Sequence, residues 1–246
     1  MYWVFYFCFN FYFIFFIFVA PSDSPNTDGF DPDSSRNVYI HDSIIENGDD
    51  CIAVKSGMNE AGIKFGKPSF NVTLQRLVCI NGGGLSIGSV IKFFLTFFFF
   101  FFNFFFFFFF FKKEMSGGIE NIFFKNCTVH SERGATLKTS LSRGGYIKNV
   151  FFENIFLNET DNLIVIQTDY GLESSKLRQT APVIDNINYY NLYGSGHHAG
   201  SLVCTSSIPC MNVNMTNIQF KAKDGFKCKE IYGKVVDVSP KMCYGN

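Results

Sequence analysis

The chain has 246 residues, which is long enough for one domain with a buried core. Its 21 basic and 21 acidic side chains give a formal net charge of zero, so the chain lacks the global field that favours nucleic acid or an anionic membrane surface. We therefore expect no nucleic-acid partner, and local cations must bind any anionic substrate.

The first segment, 1–18, is almost uncharged and holds eight of the 34 phenylalanines. With the next two residues it is long enough to span a bilayer, but it lacks the basic start and the clear cleavage site of a secretory signal. We interpret it as an apolar Phe-rich segment that precedes a domain at 19–246. The alternative is a signal or membrane segment.

The stretch 26–89 carries the residues best suited to chemistry. An Asn-Thr-Asp-Gly motif contains Asp28, and a later Gly-Asp-Asp motif contains Asp49 and Asp50. Glycoside hydrolysis requires one carboxyl group to protonate the leaving oxygen and another to hold water or attack carbon. The spacing corresponds to one turn of a coiled sheet, so we expect Asp28 to lie beside Asp49 and Asp50. Ordinary turn chemistry is the alternative for either motif alone.

A second Phe-rich tract, 90–113, holds sixteen phenylalanines and shows neither a helical nor a strand period. Phenylalanine codons are T-rich, and a T-rich run is what a translated intron would give. Joining Ser89 to Glu114 restores a continuous Gly-Ser-Glu-Met-Ser-Gly-Gly. We therefore predict that both Phe-rich segments are untranslated sequence read through by a gene model, with 90–113 an insertion in the domain. If the segments are real, membrane association becomes the alternative.

An Asn-led apolar phrase recurs along the rest of the chain, at Asn37, Asn71, Asn121, Asn149, Asn186 and Asn212. Short alternating runs between turn residues predict strands, and repetition at this length predicts a solenoid whose coils bury their faces on each other. The recurrent Asn favours stacked coils, because stacked Asn side chains can form hydrogen-bonded ladders. A β-sandwich with irregular hairpins is the alternative fold.

Taken in order, the motifs resemble those of the polygalacturonases, the pectin hydrolases of glycoside hydrolase family 28. The resemblance covers 19–89 and 114–246 and rests on Asn-Thr-Asp-Gly, Gly-Asp-Asp-Cys-Ile-Ala-Val-Lys-Ser-Gly, Gly-Leu-Ser-Ile-Gly-Ser, Glu-Met-Ser-Gly-Gly-Ile, Leu-Lys-Thr and Arg-Gly-Gly-Tyr. It implies an all-β, right-handed parallel β-helix that hydrolyses α-1,4-linked galacturonan by inversion. It also implies a secreted monomer that acts on a cell-wall polysaccharide and needs no cofactor or metal. Because such motifs normally lie well inside the protein, we expect N-terminal coils to be missing.

By the same resemblance, Asp49 is the acid that protonates the glycosidic oxygen. Asp28 and Asp50 then position and deprotonate the attacking water. Lys138 is expected to bind the galacturonate carboxylate, and Tyr170 is expected to contact the sugar.

The cysteines indicate an oxidising compartment, because eight Cys accompany four glycosylation sequons, at Asn71, Asn126, Asn158 and Asn214. The pairs Cys204/Cys210 and Cys228/Cys243 each close a short loop. The resemblance implies a third bridge, Cys51–Cys79, which leaves Cys8 and Cys127 over. We expect Cys127 to be a buried, unpaired residue.

Two positions depart from the family pattern. Gly83 stands where the family usually has a His that tunes the acid and the water, and Thr136 stands where it has an Arg. A lone Lys138 supplies a point charge without the bidentate geometry of a guanidinium. The alternative function is therefore a catalytically impaired pectin-binding or structural relative. Lys55 and Lys148 are interpreted as surface lysines; the alternative is that they add local positive charge.

Overall fold

The structure, a computed structural model, describes residues 3–6, 9–57, 59–95, 108–114, 117–139, 144–169 and 182–244. In these residues the chain forms strands that pair in parallel from one coil to the next. The predicted all-β, right-handed parallel β-helix is confirmed. One short helix, α1 (Asn59–Phe65), was not predicted and lies between two coils.

The strands, numbered in chain order, are β1 (Trp3–Tyr6), β2 (Phe9–Ile14), β3 (Ile17–Val19), β4 (Phe30–Asp33), β5 (Arg36–Glu46), β6 (Ile52–Val54), β7 (Ser69–Ile80), β8 (Leu85–Ile87), β9 (Ser89–Leu95), β10 (Phe108–Glu114), β11 (Ile119–His130), β12 (Arg133–Lys138), β13 (Tyr146–Gln167), β14 (Val183–Val203), β15 (Met211–Lys229) and β16 (Val235–Ser239).

Two walls of parallel strands form the solenoid. The first wall contains β5, β7 and β11, and the second contains β4, β6, β8 and β12. The long strand β13 belongs to both walls, since it pairs with β11 through Phe152 and with β12 through Ile166. Successive coils therefore stack in register. The turns that lead into the strands of the second wall lie above one another along one edge of the solenoid.

Asparagine ladders mark the bends of the coils, as the sequence predicted. Asn37 Nδ2 donates to Asn10 Oδ1 at 2.9 Å, and Asn71 Nδ2 donates to Asn37 Oδ1 at 2.8 Å. A further set joins Asn121, Asn149 and Asn186. All six have a positive φ between 54° and 58°, a left-handed conformation that Asn adopts more readily than other non-glycine residues. The same residue thus makes the bend and joins it to the next coil.

The interior is filled by side chains that stack from coil to coil. The rings of Phe124 and Phe152 stack with centroids 4.7 Å apart, and those of Phe152 and Tyr189 with centroids 5.1 Å apart. All three are buried, so each removes a large apolar area from water. This continuous core holds the two walls at a fixed distance.

Three disulfides agree with the predicted pairs: Cys51–Cys79, Cys204–Cys210 and Cys228–Cys243. The first joins the residue that follows Asp50 to the next coil. Cys127 is buried and unpaired, which confirms that prediction. Cys8 lies outside the described residues.

The two Phe-rich segments differ in their place in the fold. Strands β1, β2 and β3 pair in parallel with β4 and β5, so the first segment adds to the stack of coils. Strands β9 and β10 form an antiparallel pair that sets Ser89 opposite Glu114, so the second tract leaves and rejoins its coil at one point. The interpretation of both segments as read-through sequence stays a prediction. In the described part of the chain, no helix is both long and apolar enough to cross a membrane.

Candidate active site

Asp28 and the Asp49–Asp50 pair lie at equivalent points of two neighbouring coils, as the spacing predicted. Asp28 precedes β4 and the pair precedes β6, and these two strands pair in parallel. The N–H of Gly29 donates to the Asp50 carbonyl at 2.9 Å, and the N–H of Asp50 donates to Asp28 Oδ1 at 3.2 Å. One carboxylate oxygen from each Asp lies within 4.8 Å of the other two.

Asn47 fixes the two carboxylate-bearing turns to each other. Its side chain is buried, and its Nδ2 donates to the Thr27 carbonyl at 2.6 Å and to the Asp50 carbonyl at 2.8 Å. The N–H of Gly48 donates to Thr27 Oγ1 at 2.9 Å. Buried networks of this kind hold a single geometry, so the carboxyl groups keep their relative positions.

The Asp50 carboxylate is held by residues of the next two coils. Ser86 Oγ, on β8, donates to Asp50 Oδ1 at 2.9 Å, and Lys138 Nζ, at the end of β12, donates to Asp50 Oδ2. Asp50 is 1% exposed and Lys138 is 4% exposed. A buried charge is tolerated when it is paired and hydrogen-bonded in this way.

The position of Asp50 excludes a side chain at Gly83. A Cβ atom added to Gly83 would lie 2.2 Å from Asp50 Oδ1, far inside van der Waals contact. The His expected at this position from the resemblance therefore requires Asp50 Oδ1 to shift from its hydrogen bond with Ser86. Thr136, where the family's Arg is expected, is fully buried.

Lys55 is buried, which corrects its interpretation as a surface lysine. It follows β6, and its Nζ donates to Asp28 Oδ2 at 2.9 Å and to Asp31 Oδ2 at 2.7 Å. Lys148, by contrast, has a side chain that is 41% exposed and pairs with Glu120 on the first wall. A strand whose residues are all buried shows no alternation of polar and apolar side chains. The sequence therefore did not indicate which face of the strand Lys55 occupies.

Asp49 is more exposed than its two neighbours, and its pKa is raised. It is half-buried, whereas Asp28 and Asp50 are buried. Burial, and then the negative charges of Asp28 and Asp50, raise the pKa of Asp49 to about 6, although Lys138 opposes the shift. A carboxyl group with this pKa still carries its proton in mildly acidic solution, which suits a general acid.

A groove of about 370 Å³ lies along the second wall, beside Lys138. It is lined by Arg133, Lys138, Asn162, Val165, Gln167, Asp169, Ser201 and Val203. Arg133, at the start of β12, has a side chain that is 25% exposed. The family motif places its Arg at position 136, so Arg133 was not predicted to bind substrate. Tyr170, the predicted sugar contact, lies outside the described residues.

The three carboxylates also have the spacing of a cation site. Asp28 and Asp50, however, already accept hydrogen bonds from Lys55 and Lys138, respectively. The two ammonium groups supply the countercharge that a metal ion would bring. We therefore assign no metal to this cluster.

A family model described as glycosyl hydrolases family 28 matches residues 2–93 and 112–239. The match contains the three carboxylates, Lys55 and Lys138. It also extends into the first Phe-rich segment and leaves out 94–111, the centre of the second.

The curated relatives with similar sequences are named as polygalacturonases. The chain is 30% identical over 236 residues to a probable polygalacturonase of Vitis vinifera, covering 92% of this chain and 43% of that protein. It is 31% identical over 223 residues to an exopolygalacturonase of Arabidopsis thaliana, covering 88% of this chain and 45% of that protein.

Among solved structures, the fold is similar to that of a hyperthermoactive exopolygalacturonase from Thermotoga maritima. The TM-score is 0.71 at 25% identity, over 86% of this chain and 44% of that one. The chain thus spans less than half the length of these relatives.

Proposed function

The chain belongs to glycosyl hydrolases family 28, and from this premise we propose that it hydrolyses α-1,4-linked galacturonan, a pectic polysaccharide, with inversion at the anomeric carbon. The observation that carries the proposal is the setting of Asp49. Its carboxyl group has a pKa of about 6 and lies beside two carboxylates that lysine residues hold in place. The reaction requires one proton donor and a carboxylate that accepts the proton of the attacking water.

Asp49 acts as the general acid. Its proton passes to the glycosidic oxygen as the bond from that oxygen to the anomeric carbon breaks, so the leaving sugar departs as a neutral alcohol. The N–H of Asp50 donates to Asp49 Oδ1 at 2.9 Å. This contact orients the carboxyl group while its partial exposure leaves it accessible to the substrate.

Asp28 and Asp50 bind and deprotonate the attacking water. Their side chains are only 9% and 2% exposed, so a water molecule reaches them more readily than a sugar carbon does. Direct attack by either carboxylate, the retaining route, is disfavoured for that reason.

Carboxyl spacing does not by itself give the stereochemistry. The three carboxylate oxygens lie within 4.8 Å of one another, whereas inverting pairs are typically about 6.5–9.5 Å apart. The proposal of inversion rests on the burial of Asp28 and Asp50. It predicts that proton NMR of the first products shows the β-anomer, because inversion of an α-linkage gives β; an α-anomer would show retention.

The groove beside Lys138 is the proposed binding site for the anionic sugar chain. Arg133 provides a partly exposed cation along it, and Arg can bind a carboxylate through two parallel hydrogen bonds. Lys138 lines the same groove, but its ammonium group is paired with Asp50, so a sugar carboxylate would share that cation with Asp50. Tyr170 follows Asp169, which lines the same groove, and is proposed to contact the sugar.

We also propose that the protein acts as a monomer outside the cell, on cell-wall pectin. Three disulfides support an oxidising compartment, since such bonds persist mainly in secreted proteins.

Release of reducing ends from polygalacturonate tests the activity, with a neutral α-1,4-linked glucan as the control substrate. Release from polygalacturonate alone supports the proposal. Binding of polygalacturonate without release would favour the catalytically impaired relative. Release from the neutral glucan would show that the sugar carboxylate is not recognised.

A further inference from the structure

Lys55 forms a buried ion triad with Asp28 and Asp31. Its side chain is 3% exposed and lies between Asp28 Oδ2, at 2.9 Å, and Asp31 Oδ2, at 2.7 Å. Asp31 lies on β4, three residues after Asp28. Two carboxyl groups and one ammonium group thus share a space that bulk water does not reach, where an unpaired charge is costly.

The two carboxyl groups of the triad are not equivalent. Asp28 Oδ1 faces the catalytic turn, where it accepts the N–H of Asp50 at 3.2 Å. Asp31 Oδ2 accepts a hydrogen bond from Lys55 Nζ at 2.7 Å, and burial, followed by the negative charge of Asp28, raises the pKa of Asp31 well above the usual range. Asp31 therefore anchors the ammonium group, and Asp28 is the member that faces the reaction.

From this geometry, and on the basis of the proposed function, we propose that Lys55 is a positioning residue: anchored by Asp31, its ammonium group holds and orients the Asp28 carboxylate beside Asp49 and Asp50. The two lysines then have parallel positioning roles: Lys138 holds Asp50, and Lys55 holds Asp28. Each of the two proton acceptors is thus fixed by a cation.

Other charged groups surround the triad. Asp33 lies on β4, Asp49 and Asp50 lie in the turn before β6, and Lys138 lies at the end of β12. Asp33 Oδ1 accepts the N–H of Gly57 at 2.6 Å, so it is engaged away from Lys55.

Replacing Lys55 by Met removes the ammonium group and leaves two buried carboxyl groups that cannot both be charged at low cost. Asp31, whose pKa is already raised, takes the proton, and Asp28 keeps a negative charge that no ammonium group offsets or orients. Since that charge is one cause of the raised pKa of Asp49, the pKa of Asp49 rises further. The basic limb of the kcat profile then moves to higher pH, and kcat falls by about 10²-fold, a typical contribution of acid–base catalysis, because Asp28 is no longer oriented, while KM changes little.

The experiment compares Lys55→Met with Lys55→Arg, which keeps the charge, and with Lys148→Met, which removes a partly exposed lysine outside the site. For each, kcat, KM and the pH profile are measured on polygalacturonate, and Asp49 is titrated by carbon NMR of its carboxyl group. We expect Lys55→Met to have a lower kcat, a shifted kcat pH profile and a shifted Asp49 pKa. Lys55→Arg should recover most of the wild-type kcat, pH profile and Asp49 pKa, and Lys148→Met should match the wild type.

The proposal would be overturned if Lys55→Met shifted neither the limbs of the kcat pH profile nor the pKa of Asp49. This holds even if the variant is less stable than the wild type. If that variant does not fold, Lys55→Gln keeps a donor for Asp28 without the charge and is measured in its place. A wild-type protein that releases no reducing ends would contradict the proposed function, while the Asp49 titration would still decide on Lys55.

Discussion

Lys138 donates a hydrogen bond from Nζ to Asp50 Oδ2, although the two residues are 88 positions apart in sequence. Asp50 belongs to the turn before β6, and Lys138 closes β12, two coils further on. The stacking of coils thus completes the acid–base site, which no single turn contains. Changes that displace Asp50 should affect catalysis without disturbing the core.

Gly83 provides the first such change. In Gly83→Ala the new Cβ would lie 2.2 Å from Asp50 Oδ1, so this oxygen must shift from its hydrogen bond with Ser86. We expect kcat on polygalacturonate to fall by about 10²-fold, the size of effect that a displacement of about 1 Å can produce. Gly225→Ala, where nothing lies within 4 Å of the added Cβ, is the matched control. Wild-type kcat in Gly83→Ala would show that the Asp50 position does not matter.

Arg133 is expected to bind substrate. In Arg133→Gln the groove loses its guanidinium, and loss of a charged hydrogen bond of about 1.5 kcal/mol raises KM for polygalacturonate about tenfold, with kcat nearly unchanged. Arg76→Gln, which removes an exposed Arg paired with Asp42, serves as the control. Equal KM values in the two variants would exclude Arg133 from the binding site.

The pKa of Asp49 predicts two pH dependences. Activity should decline as the pH rises through about 6, because the general acid loses its proton there. Stability should also decline between pH 4 and pH 6, since the unfolded carboxyl group, near its ordinary value of 3.8, loses its proton before the folded one does.

Both dependences can be assigned by comparison with Asp49→Asn. The difference in urea midpoint between the wild type and this variant should change across the interval from pH 4 to pH 6 and be constant above it. A difference that does not vary with pH would show that the pKa of Asp49 is not raised.

The second Phe-rich tract should be dispensable. Ser89 and Glu114 are Cα partners at the base of the β9–β10 pair, so joining them directly removes 90–113 without moving the coil. We expect the shortened chain to keep its circular dichroism spectrum and melting temperature, and to be at least as soluble. A chain that unfolds on deletion would make the tract part of the domain.

The sequence predicted the features that repeat. Each recurrent Asn adopts a left-handed bend and forms a side-chain hydrogen bond with a neighbouring coil. A local conformational preference and a long-range contact therefore occur at the same residue. The position of Asp28 beside Asp49 followed from the length of one coil. Composition gave no pattern for the first Phe-rich segment, whose strands are defined by the edge of the neighbouring coil.

The features that do not repeat from coil to coil were not predicted from the sequence. Lys55 follows a strand with no alternation, and its burial depends on Asp28 and Asp31 in the previous coil. The groove containing Arg133 is formed by three strands from separate parts of the chain. Contacts of this kind depend on the register between coils, and a single sequence does not encode that register in any local motif.

The most direct test of the account is the rate of reducing-end release from polygalacturonate at about pH 5, an acidity at which Asp49 keeps its proton, by the wild type and by Asp49→Asn. Asp224→Asn, an exposed change beside His198, is the control, and melting temperatures verify that all three proteins fold. The account predicts a loss of about 10²- to 10⁴-fold in kcat for Asp49→Asn alone. Undiminished release by a folded Asp49→Asn protein would contradict the assignment of the acid and, with it, the proposed site.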